Sequence, residues 1–347
     1  MRFVLLAACV YCAPTPGLGE AHLDLVDSQI KLPAALIKAP APISIMPTTV
    51  KQTDLVNSLI AAADMALTKK WLVTLTEFPE RYYLSDNGMK SAEWIRDQVN
   101  ALQSSLSPKV KLNVTMFSHS WKKQPSVIAR LESIADTAAK DIIVVGTHFD
   151  TLGKGSGKPE PNNNPGADDC ASGSSVIAES LRVLVSQQFV PKRPIEFHWY
   201  AAEEVGLKGS MEVAADYAKR QVSVFSYLNL DQSGYLKPGY TATAGVFTDF
   251  TNKAATAFIR NTLKAYTTIG QKDSRCGYRC TDHASWDYYG YITAFVAEAP
   301  FEASFPNNDQ VKPDGSALDT VEIINMNHLM QFVRNTLGFV VELSLAA

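Results

Sequence analysis

Four short polar clusters carry the residues of this chain that could do chemistry. They are Gly146-Thr147-His148-Phe149-Asp150, Pro165-Gly166-Ala167-Asp168-Asp169-Cys170, Ala201-Ala202-Glu203-Glu204-Val205-Gly206 and Leu230-Asp231-Gln232. Each has an ordinary reading when taken alone. A histidine after a strand is more often hydrogen-bonded than ligated, an aspartate before a helix is usually its cap, and paired glutamates are common on solvated faces. Together they supply one imidazole and several carboxylates. Carboxylates forced into one place repel each other and rise in pKa unless cations neutralise them. Imidazole with carboxylate is a donor set for zinc or a similar divalent ion. A metal centre is therefore the expectation from these residues.

The surrounding sequence predicts the elements that hold the clusters. Residues 54–70 and 91–106 read as helices, and apolar alternation over 110–114 and 126–130 marks strands near a sheet edge. Residues 141–146 form a continuous apolar run, as a strand covered on both faces requires. An amphipathic helix follows at 174–187. Strands at 195–200 and 225–230 then alternate with a helix near 210–219, and a strand at 293–297 and a helix from Asn325 close the chain. Strands alternating with helices imply an α/β fold with a mixed, mainly parallel central sheet and helices on both faces. Each polar cluster then lies just beyond the carboxyl end of a strand, where such sheets place their working residues.

Composition narrows the function classes. A formal net charge of −3 and the absence of any like-charge run argue against a nucleic-acid surface. Arg2 followed by the apolar Phe3–Val10 run reads as an export signal ending near residue 13, and the run is too short to span a bilayer. Residues 14–53 are rich in proline and read either as a pro-region, which would make the chain a zymogen, or as an N-terminal arm on the domain that begins at 54. Cys9 and Cys12 fall inside the signal. Cys276 and Cys280 stand close enough for a local disulfide, leaving Cys170 free. Export implies an extracellular protein, and no membrane partner is expected. Asn113-Val114-Thr115 is a glycosylation sequon.

The ordered set GTHFD, PGADDCASG, AAEEVGLKGS, LNLDQ and CGYRCTDHASW, running from about residue 54 to the end, resembles the secreted two-zinc leucine aminopeptidases of fungi and bacteria. That resemblance implies the zinc exopeptidase fold, two zinc ions, and hydrolysis of N-terminal, apolar residues from peptides or proteins by a monomer. It makes His148 and Asp231 ligands of one ion, Asp169 the bridge between both, and Glu204 a ligand of the other. Glu203 matches the general base that takes a proton from a metal-activated water, and Asp150 the partner that orients His148. Tyr278 and the Cys276–Cys280 loop match the lining of the pocket for the first side chain. His283 matches a nearby histidine that is not a ligand. The resemblance also implies a cis peptide between Asp169 and Cys170. His22, His119, His198 and His328 match no role and read as structural.

One position departs from the family pattern. There a histidine ligand lies four residues before an aspartate, and the aspartate here is Asp319, which places Gly315 where the imidazole should be. Asp314 or Asp309 are the nearby carboxylates able to replace it. Two other readings follow: a single-zinc enzyme like the glutaminyl cyclases, or a relative that binds peptides without turnover.

Overall fold

The computed structural model describes residues 37–42, 45–135, 140–153, 164–306, 312 and 316–346. The signal segment 1–13 lies outside them, as do residues 14–36 of the stretch read as pro-region or arm. Eight strands form one sheet: β1 (Val110–Phe117), β2 (Ser126–Ser133), β3 (Ile142–His148), β4 (Ile195–Tyr200), β5 (Val224–Leu230), β6 (Thr243–Phe247), β7 (Gly270–Ser274) and β8 (Thr293–Ala297). Their order across the sheet is β1-β2-β4-β3-β5-β8-β6-β7. The four strands β4, β3, β5 and β8 run parallel, β1, β2 and β6 are joined antiparallel, and β7 pairs parallel with β6. The expected mixed, mainly parallel α/β sheet is what the chain forms.

Period-two alternation splits the core into two layers. Ile143 and Val145 of β3 pack on one face with the helices Gly173–Ser186 and Met326–Leu345. Ile142 and Val144 face the other way, against Val213 and Tyr217 of the helix Lys208–Lys219 and against Trp286. On β4 the apolar Ile195, Phe197 and Trp199 join the first layer. Glu196, His198 and Tyr200 turn to the second, where the His198 ring bonds Glu196 at 3.0 Å and the Tyr200 hydroxyl at 2.9 Å. His119 and His328 are also buried and hydrogen-bonded, to Glu212 and Ser126 and to the Glu298 carbonyl. His22 lies outside the described residues.

The structure differs from the sequence expectation in three places, the first being the helix expected over 91–106, which runs Asp86–Ala101 from a Ser85 cap and passes into a 3₁₀ turn at Leu102–Ser105. The helix expected over 54–70 is two helices, Thr53–Ala61 and Met65–Thr76, because the Asp64 side chain accepts the N–H groups of Ala66 and Leu67 and starts a new helix. Between Asp231 and Thr293 the chain adds β6, β7 and the helices Lys253–Tyr266 and His283–Tyr288, none of which the sequence reading assigned. β7 reads GQKDS and is largely exposed, so it has no apolar alternation to betray it. Among the described residues, no helix is long and apolar enough to cross a membrane. The described part of the N-terminal stretch lies on the domain: Ala39 donates to the Tyr289 carbonyl, and the Lys51 and Gln52 N–H groups to the Glu342 carboxylate.

Candidate metal centre

The parallel strands end level with one another. His148 is the last residue of β3 and sits opposite Tyr200, the last of β4, while Gly146 pairs with Asn229 near the end of β5. The loops leaving these strands therefore open at the same end of the sheet. Two of them turn sharply through left-handed residues, Ala202 (φ 56°) just before Glu203 and Gln232 (φ 51°) just after Asp231. Non-glycine residues in that region cost about 1–3 kcal/mol and persist where the surroundings over-determine them, often at functional sites. At Gly209, just inside the next helix, an added Cβ would stand 1.9 Å from the Ala201 carbonyl oxygen. Only glycine lets the helix after Glu203-Glu204 approach so closely.

The structure brings the strand-end residues into one constellation. His148 Nε2 lies 2.7 Å from Asp169 Oδ1 and 3.4 Å from Asp231 Oδ1. One donor atom each from His148, Asp169, Cys170 and Asp231 falls within 4.8 Å of the others, and so does one each from His148, Glu203 and Glu204. His148 Nδ1 is 3.2 Å from the Asp150 carbonyl oxygen and 3.6 Å from its carboxylate. That carboxylate accepts the backbone N–H groups of Glu203 at 2.9 Å and Glu204 at 3.3 Å. Asp150 thus ties the His148 strand end to the glutamate pair.

The loop carrying Asp169 is anchored from below. The Asp319 carboxylate accepts the N–H of Asp168 at 2.7 Å and that of Asp169 at 2.9 Å. Asp168 in turn accepts Gly234 N–H at 2.8 Å. The Asp169–Cys170 peptide is cis, and the buried Cys170 Sγ rests 3.0 Å from Thr147 Oγ1.

Electrostatics follow from burying so many acids together. Burial alone would push the His148 imidazole down, but the Asp231 and Glu203 carboxylates outweigh it and hold the ring well above its ordinary value. Glu203 is also raised well above the carboxylate range, by burial first and then by Asp231, Asp282 and Asp169, with His148 opposing. Asp282 is fully buried and pushed up to about 7 by burial, with His148 opposing. Such a cluster fits a divalent cation. Asp231 Oδ1 is buried with no hydrogen-bond partner, and the His148 imidazole nitrogen stands 3.4 Å from it. Buried polar atoms are normally satisfied, and an imidazole with three carboxylates is a nitrogen-and-oxygen set of the kind that zinc takes.

The other expected residues are placed as follows. Cys276 and Cys280 form a disulfide, and Cys170 is free and buried. Tyr278 packs beside that disulfide against Phe247 and Phe295. Burial raises its hydroxyl first, and the Glu203 and Asp231 carboxylates raise it further. His283 is buried, stacks on Phe295 and bonds the Asp249 carbonyl at 3.2 Å. Asp309, Asp314 and Gly315 lie outside the described residues. The sequence reading missed what Asp319 accepts, the buried Asp282, and Arg81, whose guanidinium bonds loops on both sides of the cluster. Nothing in a sequence pattern marks a carboxylate that accepts backbone N–H groups 150 residues away.

Comparison with known proteins bears on this constellation. Residues 126–339 match the model of peptidase family M28. A probable leucine aminopeptidase 1 of Trichophyton verrucosum is 34% identical over 335 residues, covering 94% of this chain and 86% of that protein. Leucine aminopeptidase 1 of Arthroderma otae is 35% identical over the same shares of both chains. The crystal structure of LapB from Legionella pneumophila superposes with a TM-score of 0.77 at 30% identity, covering 89% of this chain and 79% of that one.

Proposed function

The chain belongs to peptidase family M28, and from that premise we propose that it is a zinc-dependent aminopeptidase, an exopeptidase that removes N-terminal, apolar residues from peptides. The observation that carries this reading is the His148–Asp169–Asp231 set, with Glu203 and Glu204 converging on the same imidazole. His148, Asp231 and the shared Asp169 would hold one ion, and Glu204 with Asp169 the other. Zinc bound there supplies a Lewis acid that acidifies water toward neutrality and polarises the scissile carbonyl.

This chain's own residues do the rest. Glu203 stands beside the cluster and is not needed as a ligand for the first set. Its carboxylate accepts a proton from the attacking water and returns it to the departing amine. Burial and neighbouring acids raise Glu203, which moves a carboxylate toward the neutral range where a general base works best. Asp150 holds the Glu203 and Glu204 backbone at fixed distance from His148, so base and ligands keep their spacing. Tyr278 and the disulfide loop beside it offer an apolar, aromatic wall for the first side chain. The substrate's free amino group would be drawn to the carboxylate cluster, which accounts for trimming from the end of a chain.

Export is part of the proposal. The Arg2 and Phe3–Val10 segment has the form of a signal, and a formed disulfide suits an oxidising compartment. Protein recovered from culture medium with Met1 still in place would end that part.

The direct test is hydrolysis of a leucine chromogenic amide by wild type and Glu203→Gln. Wild type should turn over with zinc. The variant should lose nearly all turnover while retaining the metal content of wild type. Loss of zinc in Glu203→Gln would mean that Glu203 is a ligand and the base lies elsewhere.

A further inference from the structure

We propose that Arg81 is a positioning residue of the metal centre, clamping the loop that follows His148 to the turn that leads into Asp169 and so holding the two at ligand spacing. This rests on the metal-centre reading above. Arg81 is 0% exposed, and its donors run to backbone carbonyls on three separate segments. Nε donates to Phe149 O at 2.6 Å, and Phe149 lies between His148 and Asp150. Nη2 donates to Gly166 O at 3.0 Å, and Nη1 to Pro165 O, on the turn that leads into Asp168-Asp169. Nη1 also reaches Leu75 O at 3.2 Å, at the end of the helix Met65–Thr76. The Arg81 backbone completes the joint, donating to Thr151 Oγ1 at 2.9 Å and accepting from Gln124 Nε2 at 2.8 Å.

This is an unusual use of a buried cation. A guanidinium taken out of water normally sits in a carboxylate's fork. Here, among the described residues, every acceptor of the side chain is a main-chain carbonyl. Asp319, Asp150 and Asp169 act on it only through space, against burial that lowers it to about 10. The turn is built around the clamp: Gly166 is left-handed (φ 50°), and a Cβ there would lie 2.4 Å from the Asp169 carbonyl oxygen and 2.9 Å from Arg81 Nη2. Only a planar fork reaches Phe149, Pro165 and Gly166 at once, so lysine is no substitute.

Charge and clamping predict opposite signs. Removing a cation near a dication should strengthen metal binding if charge alone matters, whereas releasing the two loops should weaken it. Zinc affinity of wild type, Arg81→Lys and Arg81→Met is measured by competition with a chromogenic chelator. Deuterium uptake is followed in residues 149–153 and 164–169 of the metal-free proteins. Residues that orient metal ligands typically change affinity by about 10–100-fold when replaced, and a loss of that size is expected in both variants. Uptake should rise in those two segments and stay unchanged in β6 and β7, and guanidinium ion added to Arg81→Ala should restore part of the affinity. Unchanged or tighter binding in the variants overturns the proposal. So does a uniform rise in uptake, or failure of all variants to fold with zinc present, since Arg81 is then a general core residue. A wild type that binds no zinc refutes the metal-centre reading instead.

Discussion

Asp319→Asn tests whether the bridging carboxylate is held from beneath. In the native chain both oxygens of Asp319 are occupied, one by Asp168 N–H at 2.7 Å and the other by Asp169 N–H at 2.9 Å. Asparagine keeps one acceptor and turns an NH2 group toward the second N–H, so one buried donor loses its partner. A buried donor left unsatisfied costs about 1–3 kcal/mol, and a hydrogen bond to a charged acceptor is worth about 1.5–3 kcal/mol. The loss of folding stability should fall near ~2–4 kcal/mol, which at ~2–4 °C per kcal/mol for a chain of a few hundred residues means a Tm drop of roughly 5–15 °C. Asp169 would no longer be fixed against His148, and zinc affinity should fall by about 10–100-fold. Metal-free melts report the first effect and chelator competition the second. Asp319→Ala removes both acceptors and should exceed Asn on both measures. A variant with wild-type Tm and wild-type zinc affinity would refute the anchoring argument, because the two N–H groups would then have found other partners at no cost.

Dialysis against a weak chelator followed by metal analysis should leave about one tightly held ion per chain, since three protein ligands are the usual number for a catalytic zinc. Two ions retained at full activity would require a donor beyond Glu204 and Asp169 at the second position. Cys170 is buried and its thiol pushed up to about 12 by burial, so a thiol reagent should find no reactive group in the folded mature protein and one after denaturation without reductant. Glu196 gives a pH prediction away from the site. Burial pushes it up, but His198, Tyr217 and Arg130 together hold it down at about 2. A depressed folded value stabilises above the unfolded pKa and is lost as pH falls from about 4.5 through about 2, a swing of roughly 3 kcal/mol. Glu196→Gln should therefore be less stable at pH 7 and lose less than wild type on acidification. Parallel acid-unfolding curves for the two proteins would sink that account.

The fold was legible wherever the sequence carried a period that burial enforces. β3 reads as an unbroken apolar run because both of its faces are covered, and the structure buries all seven of its residues. β4 announces itself through Ile195, Phe197 and Trp199 on one face and polar or aromatic residues on the other. β7 gave no such signal, because an exposed edge strand is held by ladder hydrogen bonds to β6 that any sequence can make. The break at Asp64 is a third kind of case. Its neighbours continue a helical pattern, and a single side chain capping Ala66 and Leu67 divides them. Propensity favours one helix there, and local capping decides for two.

The candidate site divides in a similar way, and the division has a physical cause. Imidazole and carboxylate types at strand ends and at a helix start made the clusters around His148, Asp168-Asp169, Glu203-Glu204 and Asp231 visible, and the family resemblance singled out members within them. Residues that hold those ligands in place act through the backbone, where chemistry places few demands on type. Asp150 accepts the Glu203 and Glu204 N–H groups, Asp319 those of Asp168 and Asp169, and Arg81 donates to Phe149, Pro165 and Gly166. Each of the three is a charged side chain buried against main-chain groups, a placement that is costly unless the partners are fixed. Apart from Leu75 O, the main-chain groups they grip belong to the candidate ligands themselves or to residues within four positions of one. Fixing these backbones leaves the side chains of Asp169 and Asp231 crowded around one imidazole, 2.7 and 3.4 Å from His148 Nε2. A cation held between these carboxylates would offset their mutual repulsion more fully than the shared imidazole does, and holding them in place would then favour its binding.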